Sequence, residues 1–169
     1  RYFSNGSSKN FFQLNDLKIG LSICEDIWDE GFIDLQKENN LDLLINLSAS
    51  PFTTSKKEER GNVFAKISEK LNIPLIYVNQ TGGQDELVFD GTSSVINKQG
   101  DVTIELKSFA TDSIQFNHEE INKSSIKEKT SNRLKDLYDS LVLATKDYVE
   151  KNNFKGVLIG SSGGIDSAL

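Results

Sequence analysis

The chain has 169 residues, with 25 acidic against 19 basic side chains and a formal charge of −6, which argues against a general phosphate-backbone binder, because such a protein needs a basic face. Its 37% hydrophobic residues, 12 Gly and only 2 Pro suit a globular fold rather than a disordered one. No apolar run approaches the roughly 20 residues of a membrane span, no secretory leader is visible, and a single cysteine makes no internal disulfide, so a reducing, cytoplasmic setting is expected.

Arg1 to Asn10 is polar and turn-rich, and Phe11-Phe12-Gln13-Leu14 reads as a short strand before an Asn15-Asp16 turn. Leu17, Ile19, Leu21 and Ile23 then alternate with Lys18, Gly20, Ser22 and Cys24, the period-2 pattern of a strand. The expected strand ends on the sole cysteine, followed at once by Glu25, Asp26 and Trp28. Strand ends that open into loops are where α/β proteins place their chemistry. Two readings of Cys24 stand: a nucleophile, or a buried small hydrophobe. The neighbouring carboxylates disfavour the thiolate that reactivity requires, so a working Cys24 must draw a cation and a base from elsewhere in the fold.

Phe32 to Glu38 reads as a short helix closed by Asn39-Asn40. Leu43-Leu44-Ile45-Asn46-Leu47 is nearly continuous in its apolar character, as a parallel strand covered on both faces should be, and ends in Ser48-Ala49-Ser50-Pro51. Ser55 and Glu58 have capping-box spacing and open a helix from about Lys56 to Leu71, with Val63, Ile67 and Leu71 along its apolar face. Pro74 restarts the chain as the strand Leu75-Ile76-Tyr77-Val78, which runs into Asn79-Gln80-Thr81-Gly82-Gly83. This alternation is an α/β layered signature. Leu87-Val88-Phe89, Ser93-Ser94-Val95-Ile96 and Val102-Thr103-Ile104-Glu105-Leu106 look like antiparallel ribbons added to the sheet.

From Lys107 to Ser131 the pattern dissolves into polar residues, as expected of a connection lying across the first domain. The sole histidine, His118, falls here among acidic neighbours and is assigned no role. Asn132 to Lys151 traces an amphipathic helix through Leu134, Leu137, Tyr138, Leu141, Leu143, Ala144 and Val149. Gly156-Val157-Leu158-Ile159-Gly160 then reads as an apolar strand opening a second domain. It runs into Ser161-Ser162-Gly163-Gly164-Ile165-Asp166-Ser167, whose small residues and amides suit an anion cradle, with Asp166 as a ligand for Mg2+. Two rivals stand beside that reading. Gly160-Ser161-Ser162-Gly163-Gly164 also fits Gly-x-Ser-x-Gly, which would make Ser162 a hydrolase nucleophile, and a ligand-free turn is the third possibility. The chain opens on Arg1, contains no Met and closes on Ser167-Ala168-Leu169 just inside an element, so a piece of a longer protein is expected.

Ile23-Cys24-Glu25-Asp26-x-Trp28, Asn46-Leu47-Ser48-Ala49-Ser50-Pro51 and Asn79-Gln80-x-Gly82-Gly83-x-Asp85-Glu86-Leu87-x-Phe89-Asp90-Gly91 resemble the nitrilase superfamily. Ser162-Gly163-Gly164-Ile165-Asp166-Ser167 resembles the pyrophosphate loop of the ATP pyrophosphatases. In that order the two resemble the glutamine-dependent NAD synthetase family. The resemblance implies an α/β fold: the carboxyl-terminal part of a nitrilase-like α-β-β-α sandwich over 1–106, a connection over 107–131, and from 132 the start of an adenine-nucleotide α-hydrolase-like (PP-loop) domain. It implies Cys24 as nucleophile of a Cys–Glu–Lys triad whose other members precede Arg1, with Glu25, Ser50 and Lys56 around the glutamine head group and the Glu25 amide as an oxyanion donor. Ser161, Ser162, Gly163, Gly164, Ile165, Asp166 and Ser167 would hold ATP, with Asp166 on Mg2+, and residues for deamido-NAD would follow Leu169. Ammonia released from glutamine would pass between the two sites, in a homo-oligomer. A catalytically silent scaffold piece is the alternative from another class.

Overall fold

The computed structural model describes residues 10–121 and 132–168; the expected turn-rich opening and much of the end of the 107–131 connection lie outside them. A hairpin pairs β1 (Phe11–Leu14) with β2 (Leu17–Ile23) across Asn15-Asp16, with Asn15 in the left-handed region at φ 52°. Asn tolerates that conformation through local side-chain hydrogen bonding, which suits it to a two-residue turn. Then come α1 (Glu30–Glu38), β3 (Leu43–Ser48), α2 (Lys56–Leu71) and β4 (Leu75–Asn79). β2, β3 and β4 pair in parallel, as two helical crossovers demand.

After β4 the chain forms a separate two-stranded hairpin, β5 (Thr81–Gln84) with β6 (Leu87–Asp90). The Gly82-Gly83 stretch, expected as a strand end, is therefore a strand of its own. β7 (Ser94–Ile96) adds antiparallel to β4, and β8 (Val102–Glu105) antiparallel to β7, completing a six-stranded sheet in the order β1-β2-β3-β4-β7-β8.

Leu44, Leu75, Tyr77 and Ile96 form a core with Ile33 of α1 and Phe64 and Ile67 of α2. Ile19, Leu43 and Val95 gather instead with Phe116 and Ile121, so the segment after β8 packs on the first domain rather than leaving it. The face change between Leu43 and Leu44 is the period-2 alternation of a strand packed on both sides.

Four expectations need correction. β2 stops at Ile23, and Cys24 instead opens a 3-10 turn, Cys24–Trp28. Ser55 makes no side-chain cap on α2; its hydroxyl donates to Glu59 Oε1 at 2.6 Å, because its own backbone is already near-helical. α3 (Arg133–Lys151) has the expected limits, with the Asn132 side chain accepting the Lys135 amide at 3.2 Å. Much of its expected apolar face is not buried, however: Leu134, Leu137, Tyr138 and Leu141 are exposed, while Ser140 is buried and Ala144 meets Gly83. Finally, residues 156–160 form no strand; Val157, Leu158 and Ile159 are exposed. A strand exists by pairing its backbone groups with a neighbour, and none stands beside this stretch among the described residues.

Candidate active site

The parallel strands end together, and their ends build a cavity of about 670 Å³ lined by Cys24, Glu25, Trp28, Ser50, Lys56, Arg60 and Tyr77, among others. Cys24 sits at φ 48°, a left-handed conformation that a residue with a Cβ adopts only under constraint. The constraint is visible on both sides of it. Asp26 Oδ2 accepts the Ile23 amide at 2.8 Å, and Asn46 Nδ2 donates to the Cys24 carbonyl at 3.4 Å and to Ser22 Oγ at 3.0 Å. Asn46 is fully buried at the register position facing Ser22, so the sheet itself anchors the sharp turn. The thiol is thereby partly exposed on the cavity rather than packed in the core.

Lys56 begins α2 and stands with its ammonium 4.5 Å from the Trp28 ring centroid and 3.7 Å from Glu59. A cation over an aromatic face is attracted by the ring quadrupole, so the lysine is held over the cavity. Of the residues expected from the sequence, Cys24, Glu25, Ser50 and Lys56 are thus brought to one cavity.

The Ser161–Ser167 loop is elsewhere, exposed and followed by the single turn α4 (Ile165–Ala168). Gly163 takes φ 79°, Ser167 Oγ accepts the Ser162 amide at 3.1 Å, and Ser162 Oγ accepts the Gly164 amide at 3.3 Å. The Ser162 and Gly164 amides are engaged with hydroxyls of the loop itself, and backbone amides and hydroxyls are the donor types that bind phosphate oxygens. Asp166 is the loop's one acidic residue, and no group of three or more His, Cys, Asp or Glu suited to a metal occurs among the described residues.

Sequence reasoning missed the buried polar network under the cavity. Arg60, 4% exposed, pairs with Asp90, 3% exposed: Nη1 donates to Oδ1 at 3.1 Å, and Nη2 donates to Oδ2. Burial pulls the Arg60 guanidinium down, but its hydrogen bonds to Asp90 and the attraction of that carboxylate outweigh this and hold it above its ordinary value. Burial also pushes the Tyr77 phenol up, partly offset by Arg60, which donates to its oxygen at 3.0 Å. One signal was available: Arg60, Phe64, Ile67 and Ser68 recur at core spacing along α2, and an arginine in that stripe needs a buried partner.

Residues 1–120 match the family described as carbon-nitrogen hydrolase. The chain belongs to the carbon-nitrogen hydrolase family. Residues 137–169 also match the NAD synthase family. The chain is 38% identical over 173 residues to a glutamine-dependent NAD(+) synthetase of Acinetobacter baylyi, covering 100% of this chain and 32% of that protein. It resembles the structure of the glutamine-dependent NAD+ synthetase from Acinetobacter baumannii in complex with ADP, with TM-score 0.89 and 36% identity over 99% of this chain and 32% of that one. An amidase from Nesterenkonia sp. AN1, showing covalent addition of an acetamide moiety at its active site cysteine, shares the fold at TM-score 0.56 and 22% identity, over 62% of this chain and 40% of that one. The chain spans about a third of the length of the curated relatives it matches. The nitrilase-like α/β fold and the partial NAD synthetase domain expected from the sequence are thus both present. No helix among the described residues is long and apolar enough to cross a membrane.

Proposed function

We propose that this chain belongs to a glutamine-dependent NAD synthetase, contributing the cysteine part of its glutaminase site and the start of its synthetase domain. The observation that carries the reading is Cys24, held at φ 48° on a cavity that Lys56 also lines, in a chain that continues into the Ser161–Ser167 loop. The names of the relatives agree with it.

In this reading the Cys24 thiolate attacks the side-chain amide carbon of glutamine, and the resulting oxyanion takes a hydrogen bond from the Glu25 amide. Collapse expels ammonia, whose nitrogen takes up the proton lost by the thiol, and leaves a glutamyl thioester. Water then attacks the thioester, releasing glutamate and the thiol. The triad glutamate and lysine are not assigned to residues of this chain. Lys56 pairs with the substrate α-carboxylate, while Ser50 and Glu25 face its polar head.

In the second domain Ser161, Ser162, Gly163, Gly164, Ile165 and Ser167 hold the ATP phosphates, and Asp166 supplies an oxygen ligand to Mg2+, which neutralises phosphate charge when bound. ATP activates the deamido-NAD carboxylate as an adenylate with loss of pyrophosphate, and ammonia displaces AMP to give NAD. We place the domain limits at 1–106, 107–131 and 132–169, and the enzyme in the cytoplasm as a homo-oligomer without a nucleic-acid partner.

The test is Cys24→Ala in the full-length protein. Glutamine-driven NAD synthesis should vanish while synthesis from free ammonia persists. Retention of glutamine-driven synthesis overturns the reading, and so does loss of both activities in a folded protein.

A further inference from the structure

Asn79 ends β4, is 7% exposed, and has its whole carboxamide engaged. Oδ1 accepts the Ser50 amide at 2.9 Å, while Nδ2 donates to the Ser50 carbonyl at 3.3 Å and to Asp90 Oδ1 at 3.2 Å. β3 stops at Ser48, so no ladder reaches residue 50. One side chain therefore gives Ser50 the pair of backbone bonds that a neighbouring strand would otherwise supply.

Asp90 settles which way round that amide sits. An ionised carboxylate only accepts, so it takes the NH2 side and leaves Oδ1 to the Ser50 amide. Asp90 is in turn held by Arg60 and by the Thr92 hydroxyl at 3.0 Å. Arg60 also donates to the Tyr77 hydroxyl at 3.0 Å, and Tyr77 lines the same cavity as Ser50. Ser50 is thus held at both backbone groups by one connected set of buried side chains, and it lines the cavity that holds Cys24.

Buried polar groups are costly unless every member is paired, and when paired they lock one geometry. Here the bonds converge on a residue at the cavity wall rather than in the core. We infer that Asn79, oriented by Asp90 and Arg60, is a positioning residue that fixes Ser50 to receive the polar head of the carboxamide substrate. The inference rests on the glutaminase reading above. Such preorganisation acts on substrate binding and leaves the thiol chemistry intact.

The experiment measures glutamine hydrolysis, ammonia-driven synthesis and thermal unfolding in the full-length protein. Asn79→Ala should raise KM for glutamine at least tenfold, lower kcat less than threefold and leave ammonia-driven synthesis unchanged. Should that variant fail to fold, Tyr77→Phe removes only the hydroxyl that Arg60 holds, loosens the Arg60–Asp90–Asn79 chain, and should raise KM a few-fold with kcat kept. An unchanged KM in the folded variants, or a fall in kcat without a change in KM, overturns the inference while leaving the glutaminase reading standing. Absence of Cys24-dependent glutamine hydrolysis in the wild type overturns both.

Discussion

Asp147 on α3 accepts the Gly83 amide of β5 at 2.7 Å, across 64 residues of chain, and Lys151 one turn further on donates to the Gly83 carbonyl at 2.6 Å. The two side chains also pair with each other at 3.0 Å. Both backbone groups of an edge-strand residue are thus taken by one helix, which closes an edge that would otherwise be open to other chains. Burial pushes the Asp147 carboxyl up, but the Gly83 amide and Lys151 outweigh it and hold it below its ordinary value. A carboxyl lowered in the folded state stabilises fully above its unfolded pKa and loses that contribution as pH falls through the folded value. Asp147→Asn should therefore cost about 1–3 kcal/mol at pH 7, and its gap from the wild type should close at an acidic pH below the lowered folded value. Urea unfolding at both pH values checks it; a gap that persists in acid contradicts the account.

Gly83 is required by the helix as much as by the strand. A Cβ there would come within 3.1 Å of Ala144 Cα and 3.3 Å of Asp147 Cβ, backbone-anchored atoms that cannot swing away. Gly83→Val should pry α3 from the hairpin at a cost of about 1–3 kcal/mol. Faster amide exchange along α3, with the six-stranded sheet unchanged, is the expected signature.

Arg60 and Asp90 show the cost of a half-pair. Asp90→Ala leaves a buried guanidinium without its counter-charge and should destabilise by about 3–5 kcal/mol. Replacing both, as Arg60→Met with Asp90→Leu, should cost less than either single change, since no charge is then stranded. A double-mutant cycle from urea unfolding measures the difference.

In the proposed glutaminase reading, Lys56 bears on substrate charge rather than on the fold. Lys56→Met should raise KM for glutamine about 10- to 100-fold, the range for losing a charge-assisted hydrogen bond, with stability changed by less than about 1 kcal/mol. Lys56→Arg, which keeps the charge over Trp28, should recover most of the loss. Steady-state kinetics on the full-length protein decides it.

The α/β order, the limits of α2 and α3, and the three parallel strands were legible because each rests on a local pattern. Leu43 to Leu47 announces a covered strand, Pro74 restarts the chain, and Asn132 caps the helix that follows it. The grouping of Cys24, Glu25, Ser50 and Lys56 was legible only through the resemblance, since 32 residues of chain separate the first from the last with no local rule to join them. The strand expected at 156–160 misled for the opposite reason: apolar composition supplies a face to bury, but the partner that makes it a strand lies outside the pattern.

By itself the sequence determined most of the helices and sheet strands and their order, because periodicity and turn residues act within a few positions of the backbone they shape. Only the tertiary structure decided how Cys24 turns, that Arg60 meets Asp90, that Asn79 holds Ser50, and that α3 meets Gly83 through Ala144 and Asp147. Each of those depends on groups that packing brings together from distant parts of the chain, and a buried polar group is satisfied only by the partner that arrives beside it.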